Sequence, residues 1–393
     1  MMSLSIPFNQ LVRPREVVRQ FTPNWFTATM GTGILALALG LLPGHLPVIA
    51  RLAESLWWFN MALFALCSIL YGARWVFYFD EARRIFGHGT MCMFFGAIPM
   101  GLITIVNGFI AFGIAHWGDA AVRIAADLWW LDAVMALACG WGVPFLMFTR
   151  QDHALERMTG VWLLPIVAAE VTAGSAGLII PHLGATAEAR TMLFIGYGLW
   201  ATSVLPALGI LVILFLRLVL HKLPGPDMAV TSWLALGPLG TGALGLLTLG
   251  EAAGHVLTGD AGATLAAAAH GVGVIGAAIL WGYGLWWWVI AMLATAYHLR
   301  DGLPFNMGWW GFTFPLGVYS VATLDLGAET GLAMYTVLGS VFVVLLAGFW
   351  TLVTARTLPG VYRGRLFDAP CLSQETGLRG PAGDEAPVLA SMA

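Results

Sequence analysis

Leu236-Gly237-Pro238-Leu239-Gly240-Thr241-Gly242 sets three glycines and a proline into the apolar run 230–250. Proline removes a backbone hydrogen bond from a helix and clashes with the preceding turn. Glycine lowers helix propensity by about 1 kcal/mol relative to alanine. A run of about 20 mostly apolar residues nevertheless has the length to cross the roughly 30 Å hydrocarbon core as a helix. In lipid, carbonyls freed by a break are tolerable only against protein or a water-filled cavity. The string therefore predicts a membrane helix that faces protein or water at its break.

The pattern recurs along the chain. Met30-Gly31-Thr32-Gly33 falls in the run 24–42, Gly96-Ala97-Ile98-Pro99-Met100-Gly101 in 91–114, Leu164-Pro165 in 161–180, and Phe314-Pro315-Leu316-Gly317 in 308–325. Breakers at 31, 99, 165, 238 and 315 are spaced by 68, 66, 73 and 77 residues, about one helical hairpin with its loops. Between them lie the apolar runs 54–76, 125–148, 191–219, 264–297 and 331–354. Stretches such as Ile210–Leu216 do not alternate as strands of a membrane barrel would. The expectation is an all-α polytopic membrane protein of ten transmembrane helices, a fivefold repeat of hairpins. Its odd helices, kinked at Gly31, Gly33, Pro99, Gly101, Pro165, Gly237, Pro238, Pro315 and Gly317, would face one central pathway, with the even helices outside. Gly and Pro are common in membrane helices, so the periodicity carries this inference.

Composition agrees. The 393 residues are 59% hydrophobic and 10% charged, against roughly 45–50% and 25% in soluble chains, and mean hydropathy is +0.82. A net charge of −3 and a single lysine, Lys222, exclude nucleic acid as a partner. With ten spans, 15 of the 18 Lys and Arg residues fall on one side, leaving Arg51, Arg123 and Arg190 opposite. Positive charge stays cytoplasmic, so both termini are expected inside the cell membrane. The domains expected are a cytoplasmic arm over 1–23, a ten-helix transport domain over 24–356, and a cytoplasmic tail over 357–393 that is poorly ordered beyond about residue 370.

Few ionisable groups lie deep, as their insertion cost demands. Glu170 follows the break at Pro165, and is equally consistent with a pathway or a packing role. One deep glutamate is not the carboxylate ring of a cation channel. Neutral groups on odd helices, namely Thr27, Thr29, Thr32, Thr104, Asn107, Thr172, Ser175, Thr241, Thr313 and Ser320, with Thr32, Thr104, Asn107, Thr241 and Thr313 the pore-lining candidates, suit a weakly held anion beside the positive ends of broken helices. No His-Glu-x-x-His, Gly-x-Ser-x-Gly or Walker string occurs. No enzyme activity, cofactor or metal is expected, and the four cysteines show no metal-ligand spacing.

Several strings resemble, in order, those of the tellurite-resistance/dicarboxylate transporter family, also called the voltage-dependent or slow anion channel superfamily. They are Phe21-Thr22-Pro23-Asn24-Trp25-Phe26 with Met30-Gly31-Thr32-Gly33, Pro99-Met100-Gly101-Leu102, Gly142-Val143-Pro144-Phe145, Val161-Trp162-Leu163-Leu164-Pro165 and Trp309-Trp310-Gly311-Phe312-Thr313-Phe314-Pro315. The first-helix string, Trp129-Trp130-Leu131-Asp132 and Thr149-Arg150-Gln151 look most like the sulfite-efflux branch. The resemblance implies five hairpins around a pore, a homotrimer with one pore per protomer, and transport of small inorganic or dicarboxylate anions. Sulfite export is the favoured expectation; malate and tellurite are the alternatives. It also implies a phenylalanine gate in the ninth helix, matched by Phe314, with Phe312 as the near alternative.

Overall fold

A computed structural model describes residues 7–373 apart from 12, 45 and 301. Of the tail expected to be poorly ordered beyond about residue 370, Pro370–Ser373 form a short helix and the rest, from 374 onward, lies outside the described residues. Helices dominate and no strand occurs among the described residues. We number the ten long helices α1 (Phe26–Gly40), α2 (Pro47–Phe77), α3 (Met91–Trp117), α4 (Asp119–Thr149), α5 (Gly160–Leu183), α6 (Ala187–His221), α7 (Ala229–Val256), α8 (Gly259–Leu299), α9 (Phe314–Thr330) and α10 (Ala333–Arg363). Eight of them, all but α1 and α9, are long and apolar enough to cross a membrane. At 15 and 17 residues, α1 and α9 reach only about 22 and 26 Å. Most helices outrun their expected limits; α10 continues to Arg363, where Gly364 at φ +83° closes it with a left-handed cap.

The helix breakers sit differently from the kinks expected of them. Each odd helix begins with a tighter 3-10 segment: Pro23–Trp25 before α1, Met91–Gly96 in α3, Gly160–Leu163 in α5, Ala229–Ala235 in α7 and Met307–Phe312 before α9. Pro99, Pro165, Pro238 and Pro315 fall within the first three residues of the α-helical part that follows. There an amide hydrogen would lack a partner within the α-helix, so proline costs little and its fixed φ favours the start. These prolines mark the start of the α-helix; they do not bend its middle. Gly31 and Gly33 lie inside an unbroken α1, so Pro23 is the repeat's true first member. Prolines well inside a helix belong mostly to even helices, as Pro144, Pro206 and Pro359 show.

Packing separates two shells. Each odd helix touches the next, α1 with α3, α3 with α5, α5 with α7, α7 with α9 and α9 with α1, so the five close a ring. Each also packs against the even helix that follows it. Within the most apolar window of α3, α5 and α7, 67–89% of residues are buried, against 22–33% in the even helices. Small residues permit the close approach. A Cβ on Gly240 would stand 2.7 Å from the Tyr319 backbone nitrogen, and one on Gly177 2.4 Å from the Thr248 carbonyl carbon.

Candidate functional site

Because the odd helices all begin at the same end of the ring, their first turns converge. A cavity of about 50 Å³ lies there, lined by Thr27 and Met30 of α1, Met100 of α3, Val167 of α5, Gly237 of α7, and Trp310, Phe314 and Pro315 at the start of α9. Its lining hydroxyls belong to Thr27 and Thr231, and both donate to local carbonyls, Asn24 at 2.6 Å and Met228 at 2.7 Å. No lining side chain is charged. The result is an apolar constriction at the positive ends of five helix dipoles.

A wider vestibule of about 470 Å³ adjoins it, sharing Phe94, Val161, Thr231, Met307 and Gly308 with the constriction. Arg365, Asp227 and Asp368 bring one cation and two carboxylates to its wall. At the far end of the ring, where α7 and α9 finish, charge is acidic. Asp325 lies within electrostatic reach of Glu251 and Glu329, and His270 Nε2 is 3.4 Å from Glu329 Oε2.

The two candidate gate residues go to different places. Phe314 is 3% exposed and lines the constriction. Phe312 points into an aromatic cluster, stacked on Phe349 at 4.8 Å and edge-on to Trp233 at 5.4 Å and Trp309 at 5.8 Å. A helix alternating between 3-10 and α geometry turns residues two apart onto different faces.

Most of the polar residues expected along the axis are placed elsewhere. Thr32 accepts from Trp350 Nε1 at 3.0 Å, facing α10. Thr104 accepts from Asn60 Nδ2 at 3.1 Å, facing α2, and donates to Gly101 O. Thr313 donates to Trp310 O at 2.7 Å, beside Gly31. Asn107 is half-buried just before the π-helical segment Phe109–Gly113, its Oδ1 without a partner among the described residues. Gly31, Gly33, Gly101 and Gly317 are close-approach points: an added Cβ would collide with Thr313, Thr104, Thr29 and Ile34 respectively. Of the residues expected to shape the pathway, the constriction gathers Thr27, Gly237, Phe314 and Pro315; the sequence reading passed over Thr231 and the methionines Met30 and Met100.

Glu170 is fully buried in α5 and bonds to the Thr241 hydroxyl of α7, which also donates to Gly237 O at 2.7 Å. One hydroxyl proton cannot serve both acceptors; a protonated Glu170 removes the conflict. Asp132 repeats the arrangement with Thr172, at 2.6 Å, and Ala168 O. Arg74 and Arg217, the buried arginines nearest the vestibule end, are committed to carbonyls: Phe21 O for the first, Glu156 O and Lys222 O for the second. Neither lines the constriction or the vestibule, so neither presents a guanidinium to a dicarboxylate there.

Residues 20–358 match a family model, that of the voltage-dependent anion channel (SLAC1). The chain belongs to the voltage-dependent anion channel family. Within the curated proteins, this family member is 38% identical to the sulfite efflux pump SSU1 of Arthroderma otae, across 87% of the chain and 91% of the relative. It is 29% identical to an uncharacterized transporter of Methanocaldococcus jannaschii, across 90% and 96%. The malic acid transport protein of Schizosaccharomyces pombe is 22% identical across 86% and 77%. As an anion channel family member built of apolar helices, it is a multi-pass membrane transporter whose substrates are small anions.

Proposed function

We propose that this family member exports sulfite or a similarly small anion along the axis of the inner ring, with Phe314 closing the path. The observation that carries the reading is the placement of Phe314 in an apolar constriction of about 50 Å³ where five helix starts meet. Apolar constrictions gate by excluding water. The dipole arrangement draws an anion to the vestibule end, while Glu251, Asp325 and Glu329 repel it from the far end back toward bulk solvent. The 15-to-3 cation split supports placing the vestibule end on the cytoplasmic side of the cell membrane, from which the anion would enter. All ten helices then span, α1 and α9 lengthened by the 3-10 segments that precede them, and both termini are cytoplasmic. The work is transport, with no catalytic step, by a homotrimer with one pathway per protomer.

Sulfite is favoured over malate because a dicarboxylate gains most from an arginine fork: neither Arg74 nor Arg217 lines the path, and Arg365 on the vestibule wall is accompanied by Asp227 and Asp368. The similarity to sulfite efflux pumps points the same way. The test is anion flux in proteoliposomes at fixed voltage, comparing sulfite, malate, chloride and tellurite. Sulfite should move fastest; malate or tellurite moving faster would replace the substrate, and no flux of any anion would overturn the reading.

A further inference from the structure

Arg74 is fully buried near the vestibule end of α2. Its Nη1 donates to Phe21 O at 2.7 Å and its Nη2 to the Sγ of Cys371 at 3.4 Å, while its Nε has no partner among the described residues. No carboxylate among the described residues pairs with it. Burying an unpaired cation costs several kcal/mol, so a guanidinium left with one carbonyl, a cysteine sulfur and a spare donor is unusual. Tyr71, one helical turn earlier on the same face, is also buried, and no acceptor among the described residues takes its hydroxyl proton. Cys371 lies within electrostatic reach of it. Two unpartnered donors, Arg74 Nε and the Tyr71 hydroxyl, thus belong to side chains that contact or couple to one sulfur.

We propose that Cys371 is an oxidation site, and that Arg74 and Tyr71 form the oxyanion pocket that holds its oxidised form. The oxidant is a hydroperoxide such as hydrogen peroxide. The sulfur attacks one peroxide oxygen, an S–O bond forms and the O–O bond breaks. Two electrons pass from sulfur to the peroxide, and the leaving hydroxide takes the thiol proton as water. The sulfenic acid produced, or the sulfinic acid formed with a second equivalent of peroxide and release of a second water, gives its proton to bulk water, and the resulting anion's oxygens supply acceptors for Arg74 Nε and the Tyr71 hydroxyl.

The consequence is mechanical. Cys371 belongs to a strap, residues 364–373, that lies across the vestibule: Arg365, Leu366, Asp368 and Pro370 line it. Phe367 stacks on Trp25 at 4.9 Å, and Ala369 N–H donates to Gln20 Oε1 at 2.9 Å. Replacing a weak N–H···S contact by charge-assisted bonds to oxygen ties the strap down and narrows access to the constriction. The flux effect rests on the transport reading above; the chemistry does not.

The experiment treats the full-length protein in proteoliposomes with graded hydrogen peroxide, traps sulfenate with dimedone, and follows each cysteine by peptide mass spectrometry alongside anion flux. Cys371 should be modified ahead of Cys67, Cys92 and Cys139, and flux should fall in step. Cys371→Ser should keep untreated flux and lose the peroxide response; Tyr71→Phe should slow modification and weaken the response. Modification of Cys371 no faster than the other three would overturn the site. That measurement uses the unaltered chain, so it holds even if a variant fails to fold. Modification without a flux change would overturn the strap's role, and so would flux loss persisting in Cys371→Ser.

Discussion

The inner and outer helices are drawn from nearly the same apolar alphabet, yet they solve different problems. In the outer shell Phe148, Val76 and Ile279 stand largely exposed and would meet lipid. Their size matters little there, because lipid tails accommodate any apolar shape. The inner ring has protein on every side. Gly177 and Gly240 are set against backbone atoms of the next helix, and Thr172, Thr248 and Ser320 bond their own carbonyls or a neighbour's. The difference teaches that in this fold a side chain's freedom is decided by shell before it is decided by chemistry.

The sharpest way to break the comparison is to enlarge one glycine in each shell. Gly177→Ala forces a Cβ onto the Thr248 backbone, an overpacking cost of about 1–3 kcal/mol or more. Yield and thermal stability in detergent should fall and flux with them. Gly198→Ala on α6 meets nothing within 4 Å and should stay within about 0.5 kcal/mol of the parent. Equal losses at both sites would erase the distinction between shells.

A second pair concerns charge inside the ring. Glu170→Gln supplies an amide donor to the Thr241 oxygen and should preserve both stability and flux, as a neutral Glu170 requires. Glu170→Ala empties a buried site and strands Thr241 near α5, costing about 1–3 kcal/mol. Flux lost in the glutamine variant at normal yield would instead make ionised Glu170 part of the pathway.

The prolines give a smaller effect. As helix starters, Pro165 and Pro315 should tolerate alanine with a change of about 1 kcal/mol or less, read as a shift in melting temperature. A mid-helix kink predicts a straightened helix and altered flux.

The smallest effect is one of pH. His88 Nδ1 accepts from the backbone N–H groups of Thr90 and Met91, both at 3.2 Å, at the start of α3. Burial holds its imidazolium below the ordinary value of 6.5. The unfolded chain therefore takes up a proton first, and stability falls as pH drops through about 6.5. Melting temperature measured between pH 7.5 and 5.5 should decline, and less so in His88→Gln.

Much of this architecture is legible in the chain. Spans such as α3 and α5 start within a residue of where hydropathy places them, and the recurrence of Pro99, Pro165, Pro238 and Pro315 announces the inner set. The direction of individual hydroxyls is not legible. A helix buried all round has no polar stripe to orient it, so nothing in the sequence tells that Thr32 faces Trp350 or that Thr104 faces Asn60. Nor does it tell a proline that bends a helix from one that starts it, because the 3-10 turns before Pro165 and Pro315 are as apolar as the helices they introduce. The Phe312–Phe314 pair was separable only by geometry, since two residues of the same type differ here in face alone.

That pair supplies the most direct test of the central claim, that the inner ring encloses an anion path closed by Phe314. Phe314→Ala and Phe312→Ala would be reconstituted side by side and sulfite flux recorded at fixed voltage, with melting temperature in detergent as the control. Phe314→Ala should raise basal flux at near-parental stability. Phe312→Ala should leak nothing while losing about 3–5 kcal/mol as its aromatic cluster empties. A stable Phe314→Ala with unchanged flux, or a leak from Phe312→Ala alone, would contradict the account.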